Sequence, residues 1–245
     1  MNIDHEITNH KHLQTMKYAI IIPAKNEEQS LPVLLDALTA QTLKPTAVIV
    51  VNDQSTDKTA AITEAYTKKH PFIHHVKKQN RRDSYALGGK VVETFHFGLD
   101  YLNQLNIEYD YVIKMDADIH FNVSLFSSIA SRINGSKSMG IISCTPYTLE
   151  NGAPIYIHSP KWHTNGDFKM YNKTCLEEIG GLIPDLGWDC ADNIVAKSKG
   201  WETKVFRDLY YQQSRPIGRH SVKKGIMRQG TGAYKLRYSM LYITV

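Results

Sequence analysis

Cysteine is scarce. Cys144, Cys175 and Cys190 are the only three in 245 residues. They are odd in number and lack metal-type spacing, which argues against a disulfide framework or a zinc site and fits a reducing cytoplasm. No apolar run approaches the ~20 residues that a membrane-spanning helix requires. The first sixteen residues are polar, hold His5, His10 and His12 and have no apolar core, so they do not read as a signal peptide; Met16-Lys17 stands where a start would fall. There is no repeat or low-complexity segment. No Gly-x-Gly-x-x-Gly follows a strand, which disfavours a dehydrogenase, and Gly88-Gly89-Lys90 lacks the spacing of a Walker loop. The net charge of +5 is too small to argue for nucleic acid. Histidines are scattered singly apart from His74-His75, which is not a metal motif on its own.

What is present is enough apolar material, 42% of residues, to bury the core of a single α/β domain. Tyr18-Ala19-Ile20-Ile21-Ile22-Pro23 reads as a buried strand ended by proline, followed by the polar stretch Ala24-Lys25-Asn26-Glu27-Glu28. Leu31, Leu34, Leu35 and Leu38 then recur at helical spacing, with Ser30 a candidate N-cap and Pro32 in the first turn. A second buried strand, Ala47-Val48-Ile49-Val50-Val51, runs into Asn52-Asp53-Gln54-Ser55-Thr56-Asp57, and Ala60, Ala61, Ile62 and Ala65 suggest the next helix. Strand, polar loop and helix thus occur twice, the pattern of a mostly parallel sheet with helices on both faces. Ligands bind such sheets beyond the carboxyl ends of the strands, where the polar clusters at 24–28, 52–57 and 116–118 all fall.

The third cluster ends the apolar run Tyr111-Val112-Ile113-Lys114-Met115 with Asp116-Ala117-Asp118. Alternate side chains of an extended chain share a face, so the two carboxylates can converge on one oxygen-seeking divalent cation; a solvated turn is the alternative. Glu27 reads either as a site carboxylate or as a first-turn helix acid, and Asp57 as a helix cap. Asp53, at a strand exit, is placed to accept the ring N–H of a base such as uracil. Arg82 and Lys90 are candidate phosphate contacts, Lys90 otherwise a solvated residue at the start of the Val92, Phe95, Leu99, Leu102 helix.

The ordered set Pro23-x-x-Asn26-Glu27, Val51-Asn52-Asp53-x-Ser55-Thr56-Asp57 and Asp116-Ala117-Asp118 resembles the family 2 glycosyltransferases, whose catalytic domain has the GT-A fold. The resemblance continues through Gly166-Asp167-Phe168, Ile179-Gly180-Gly181-Leu182, Gly187-Trp188-Asp189 and Gly200-Trp201-Glu202-Thr203-Lys204-Val205, covering about residues 17–216. It implies an inverting, metal-dependent enzyme that moves a sugar from a nucleotide-sugar, UDP-linked by expectation, to a hydroxyl of a glycan or lipid-linked acceptor. It also implies that Pro23, Ala24, Glu27 and Asp53 hold the nucleotide. Asp116 and Asp118 would hold Mn or Mg, which stabilises the leaving diphosphate as a Lewis acid. The acceptor hydroxyl must lose a proton. The family's Glu-Asp pair shortly before a helix falls on Trp188-Asp189, so Asp189 is the expected base. With Trp standing in place of Glu, Asp192 is a rival, and Trp188 is either a stacking wall for a sugar ring or a core residue. Where members often place a third metal ligand, a His after the strand reading Thr203-Lys204-Val205-Phe206-Arg207, this chain has Gln213 or Ser214, and His220 is the nearest substitute.

The expected organisation is an extension at 1–16, a catalytic domain at 17–216 and a basic, aromatic segment at 217–245. That segment interleaves Lys223, Lys224, Arg228, Lys235 and Arg237 with Ile226, Tyr234, Leu236, Tyr238 and Leu241. Such a mixture suits either packing on the domain or peripheral contact with anionic lipid on the cytoplasmic face of a membrane. Two other readings remain. A sugar-nucleotide pyrophosphorylase would need a Gly-rich basic loop where Ala24-Lys25-Asn26-Glu27 stands. A degenerate nucleotide- or carbohydrate-binding module would explain the missing Glu and His.

Overall fold

The computed structural model describes residues 16–78, 89–133, 136, 138–215 and 231. The expectations for residues 1–15, Arg82, His220 and nearly all of the basic, aromatic segment lie outside these. Strand β1 (Tyr18–Ala24) sends Tyr18, Ile20, Ile22 and Ala24 into one core and Ala19 and Ile21 into another, so it is covered on both faces. Helix α1 (Leu31–Thr39) buries all four of its leucines on the first of these faces. Pro32 sits in its first turn. Ser30 does occupy the N-cap position but does not cap the helix: its hydroxyl donates to Glu27 Oε2 at 2.5 Å.

Strand β2 (Ala47–Asn52) pairs parallel with β1, and helix α2 (Thr59–Lys69) follows. Strand β3 (Ile73–Lys77), which carries His74 and His75, extends the sheet beyond β2. Helix α3 (Gly89–Gln104) packs Val92, Phe95 and Leu102 on the second face. It sits very close to the sheet: a Cβ on Gly98 would lie 2.6 Å from Ile21 Cγ2 and 2.7 Å from Val51 Cγ2, so only glycine fits there. Strand β4 (Tyr111–Met115) then pairs parallel on the other side of β1.

The second half comprises β5 (Ile119–His120), α4 (Leu125–Ile133), β6 (Met139–Glu150), β7 (Ala153–Tyr156), β8 (Phe168–Asn172), α5 (Lys173–Glu178), α6 (Trp188–Ser198) and β9 (Glu202–Gln213). The sheet order is β3-β2-β1-β4-β8-β6-β9-β5, with β7 beside β6. The first four strands are parallel. Beyond them, β8 runs antiparallel to both β4 and β6, and β9 runs parallel to β6 and antiparallel to β5. Two of these registers place the site. Met115 faces Phe168, so the entry of β8 lies beside the exit of β4; Ile119 faces Gln213, so the exit of β9 lies beside both. Residues 116–118, 166–167 and 213–215, far apart in the chain, therefore meet at one edge.

Candidate active site

The first two loops are laced together by side chains. The Asn26 N–H donates to Ser55 Oγ at 3.0 Å, and Asn26 Oδ1 accepts from the Thr56 N–H at 2.8 Å. The Glu27 N–H donates to Thr59 Oγ1 at 2.8 Å and the Lys58 N–H to Glu28 Oε2 at 3.0 Å. Asp57 accepts the N–H groups of Thr59 at 2.9 Å and Glu28 at 3.0 Å from one residue before the N-cap position of α2, which Lys58 and not the expected Asp57 occupies. Asn26 holds φ 56° and Gln54 φ 59°, the left-handed region that short polar side chains tolerate better than most. Asp53 leaves β2 with its N–H on the Ala24 carbonyl at 2.8 Å and its carboxylate 3.7 Å from Lys78 Nζ.

The Asp pair does not lie in an extended chain. Strand β4 ends at Met115 and residues 116–118 turn, so the alternation argument does not apply and the two carboxylates have different neighbours. Asp116 pairs with the buried Lys114, whose Nζ also donates to the Gly166 carbonyl at 2.6 Å; the Asp116 N–H donates to the Asp167 carbonyl at 2.8 Å. Asp118 accepts from Arg215 Nε at 2.7 Å, and Arg215 Nη2 donates to Glu27 Oε1 at 2.7 Å. Glu27, Asp118 and Arg215, together with Asn26, Ser30 and Ser214, line an open cleft of about 570 Å³. Pro23, Ala24, Asp53, Lys90 and Asp116 are not in its lining. Lys90 is exposed on the first turn of α3.

Asp167, which sequence reasoning quoted but gave no role, is a third carboxylate beside Asp116. It accepts from Tyr211 Oη at 2.7 Å and from Gln213 Nε2. Its carboxyl is pushed up from 3.8 to about 6, first by burial and then by the negative charge of Asp116. Gln213 Oε1 is buried and has no hydrogen-bond partner among the described residues, so a turned amide would accept the proton of a neutral Asp167. A carboxyl whose pKa is raised on folding favours the folded state fully below its ordinary value and loses that contribution as pH rises through the raised one. Asp167→Asn, neutral throughout, is therefore expected to remove a decline in stability on the order of 2 kcal/mol between about pH 4 and pH 6. Denaturant titrations across that range check it, and a wild-type profile in the variant would refute the assignment.

At the base position, helix α6 begins with Trp188 and Asp189. Asp192 is buried and fully engaged: Lys169 Nζ donates to its two oxygens at 2.5 and 2.7 Å, Tyr171 Oη at 2.6 Å and the Asn193 N–H at 2.6 Å. The half-buried Asp189 lies at the edge of the cluster. A Cβ built on Gly166 would stand 3.2 Å from Asp189 Cβ, and the Gly166 carbonyl holds Lys114, the partner of Asp116. Of the two readings of Trp188, its burial fits the core residue. Its ring is buried, with Lys114 Nζ 5.5 Å and Lys169 Nζ 5.3 Å from its centroid, cation–π contacts to two buried ammonium groups.

Among the described residues no group of three or more His, Cys, Asp and Glu is arranged to hold a metal. The donor chemistry nevertheless fits a hard cation, because Mg²⁺ is commonly held by one or two carboxylates with substrate phosphates and water completing the shell. Asp116 and Asp118 are the carboxylates that would supply it.

A parallel half-sheet carrying polar loops at its carboxyl edge, continued by an antiparallel strand and closed by a long returning one, defines a GT-A-type fold. Solved structures share it. The mannosyltransferase PcManGT from Pyrobaculum calidifontis, in complex with GDP-Man and Mn²⁺, superposes with TM-score 0.65 at 18% identity, covering 91% of this chain and 65% of its own. S. aureus TarS in complex with UDP-GlcNAc gives 0.64 at 21%, covering 94% and 69%. Residues 19–87 match the model of glycosyl transferase family 2. The 4,4'-diaponeurosporenoate glycosyltransferase of Staphylococcus haemolyticus is 28% identical over 71% of this chain and 41% of its own length. The undecaprenyl-phosphate mannosyltransferase of Micrococcus luteus is 33% identical over 42% and 38%. Sequence and fold are thus both similar to those of glycosyltransferase family 2, and the chain spans about two fifths of the length of these curated relatives.

Proposed function

We propose that the protein transfers a sugar, with inversion, from a UDP-linked donor to a hydroxyl of a glycan or lipid-linked acceptor. The observation that carries this is the meeting of Glu27, Asp118 and Arg215 in one cleft at the carboxyl edge of the sheet, where a family 2 chain binds its donor. Asp53 accepts from the nucleotide beside Pro23 and Ala24. Asp116 and Asp118 would hold a divalent Mn or Mg, which would supply Lewis-acid stabilisation of the departing diphosphate. Asp189 takes the acceptor's proton as its oxygen attacks the anomeric carbon; Asp192, saturated by Lys169, Tyr171 and Asn193, holds the helix in place instead. The relative named for undecaprenyl phosphate supports a lipid-linked acceptor. No helix among the described residues is long and apolar enough to cross a membrane. Peripheral contact through the basic, aromatic segment 217–245 is the form of membrane association we propose.

Thermal melting against a panel of UDP-, GDP- and other nucleotide-sugars, with and without Mn²⁺, tests class and donor together. At about a hundredfold excess over Kd, a bound donor adds about 2.7 kcal/mol, which in a chain of this size raises Tm by roughly 5–10 °C. Metal-dependent stabilisation by a UDP-sugar is expected. Stabilisation by GDP-sugars alone would replace the donor, and none by any nucleotide-sugar would overturn the reading.

A further inference from the structure

The end of β9 is tied to the acidic residues beside the cleft. Gln213 is engaged by Asp167, and the Ser214 N–H is spent on the Asp118 carbonyl at 2.9 Å. The next residue delivers a cation. Arg215 spans two carboxylates, Asp118 and Glu27, each at 2.7 Å. Those carboxylates are largely covered, with 15% and 12% of their side chains exposed, whereas Arg215 is 57% exposed. Two half-desolvated anions at the bottom of a cleft need a countercharge, and the guanidinium provides it from the open side. This raises the affinity of Arg215 for its proton above the ordinary arginine value, chiefly through the Asp118 hydrogen bond.

A divalent cation approaching Asp118 meets this guanidinium, and like charges a few ångströms apart repel. The exposed arm has room to swing, and its planar fork matches a pair of phosphate oxygens. We propose that Arg215 is the resident countercation of the donor site: it holds Asp118 and Glu27 while the donor is absent, yields Asp118 to the incoming divalent cation, and then clamps the donor's diphosphate. The proposal rests on Asp118 being a metal-binding residue, and it assigns the strand-end position a cation where the family pattern often has a ligand.

The test uses Mn²⁺ and UDP as probes. Free Mn²⁺ is measured by electron paramagnetic resonance in the absence of nucleotide, and UDP binding by calorimetry at saturating Mn²⁺. Removing an internal competitor should strengthen Mn²⁺ binding while removing a phosphate contact weakens UDP, so Arg215→Ala should move the two affinities in opposite directions, each by about tenfold. Arg215→Lys, which keeps the charge and loses the fork, should leave Mn²⁺ nearer to wild type and still weaken UDP. Arg215→Gln serves as a second neutral variant should the alanine protein not fold. Parallel loss of both affinities, or unchanged Mn²⁺ binding in a folded neutral variant, would overturn the proposal. Asp118→Asn separates it from the underlying reading. Lost Mn²⁺ binding there with no effect of Arg215→Ala defeats the latch alone, whereas wild-type Mn²⁺ binding in Asp118→Asn defeats the metal assignment itself.

Discussion

Asp118→Asn is expected to abolish sugar transfer and, with it, any dependence of nucleotide affinity on Mn²⁺ or Mg²⁺. The carboxylate sits at the floor of the cleft with 15% of its side chain exposed, so no bulk water stands ready to replace it around a cation. Loss of one preorganised electrostatic contact to a developing charge typically costs ~10²–10³ in rate, and loss of a cation's anchor should reach at least that. Transfer rates and UDP affinities, each with and without Mn²⁺, make the measurement. An unchanged metal-dependent UDP affinity would remove Asp118 from the metal site. Because the Arg215 guanidinium is held by the same carboxylate as well as by Glu27, the variant also loosens that arm. A rise in metal-independent UDP affinity beside the lost metal dependence would fit both roles.

Asp189→Asn should behave differently, with donor affinity near wild type and the transfer rate lowered by a factor on the order of 10² or more, as for a missing general base. The neighbouring Asp192→Asn supplies the contrast. Asp192 is the buried partner of Lys169, and breaking one side of such a pair costs about 3–5 kcal/mol, a fall in Tm of roughly 10 °C in a chain of this length. The two variants thus separate by instrument, kinetics for one and melting for the other. If Asp192→Asn folds as well as wild type and loses only turnover while Asp189→Asn keeps it, then Trp188 has displaced the base by one helical turn and the assignment is wrong.

The parallel half of the fold was legible because its strands are covered on both faces and read as unbroken apolar runs: 18–23, 47–51 and 111–115 lie within β1, β2 and β4. Strand β3 was not legible, since Ile-His-His-Val-Lys has too little apolar character to announce a strand beside β2. The leucine periodicity of α1 held and Ser30 takes its N-cap position, although its hydroxyl bonds Glu27 and accepts no helix N–H. At the site, the carboxylates could be found by their place at strand ends. Their partners could not. Lys114 reads as part of an apolar strand, yet it faces Asp116 because Met115 registers with Phe168 and brings the Gly166 carbonyl within reach. Asp167 and Arg215 likewise acquire roles only through antiparallel registers that no local pattern encodes. Trp188 offered two fates in the sequence, and its burial beside the ammonium groups of Lys114 and Lys169 matches the core one.

The ion pair between Glu27 and Arg215 joins residues 188 positions apart. A chain leaving the ribosome amino end first can pair β1 to β4, with Glu27 and Asp53 beside the strand exits, before the strand that fixes Asp118 is made. The guanidinium comes only after β9 has found β6 across more than half a hundred intervening residues, a pairing of the long-range kind that orders late. During synthesis, the cleft is consequently an acidic, unneutralised surface before it is a finished site, and its last piece arrives with the returning strand.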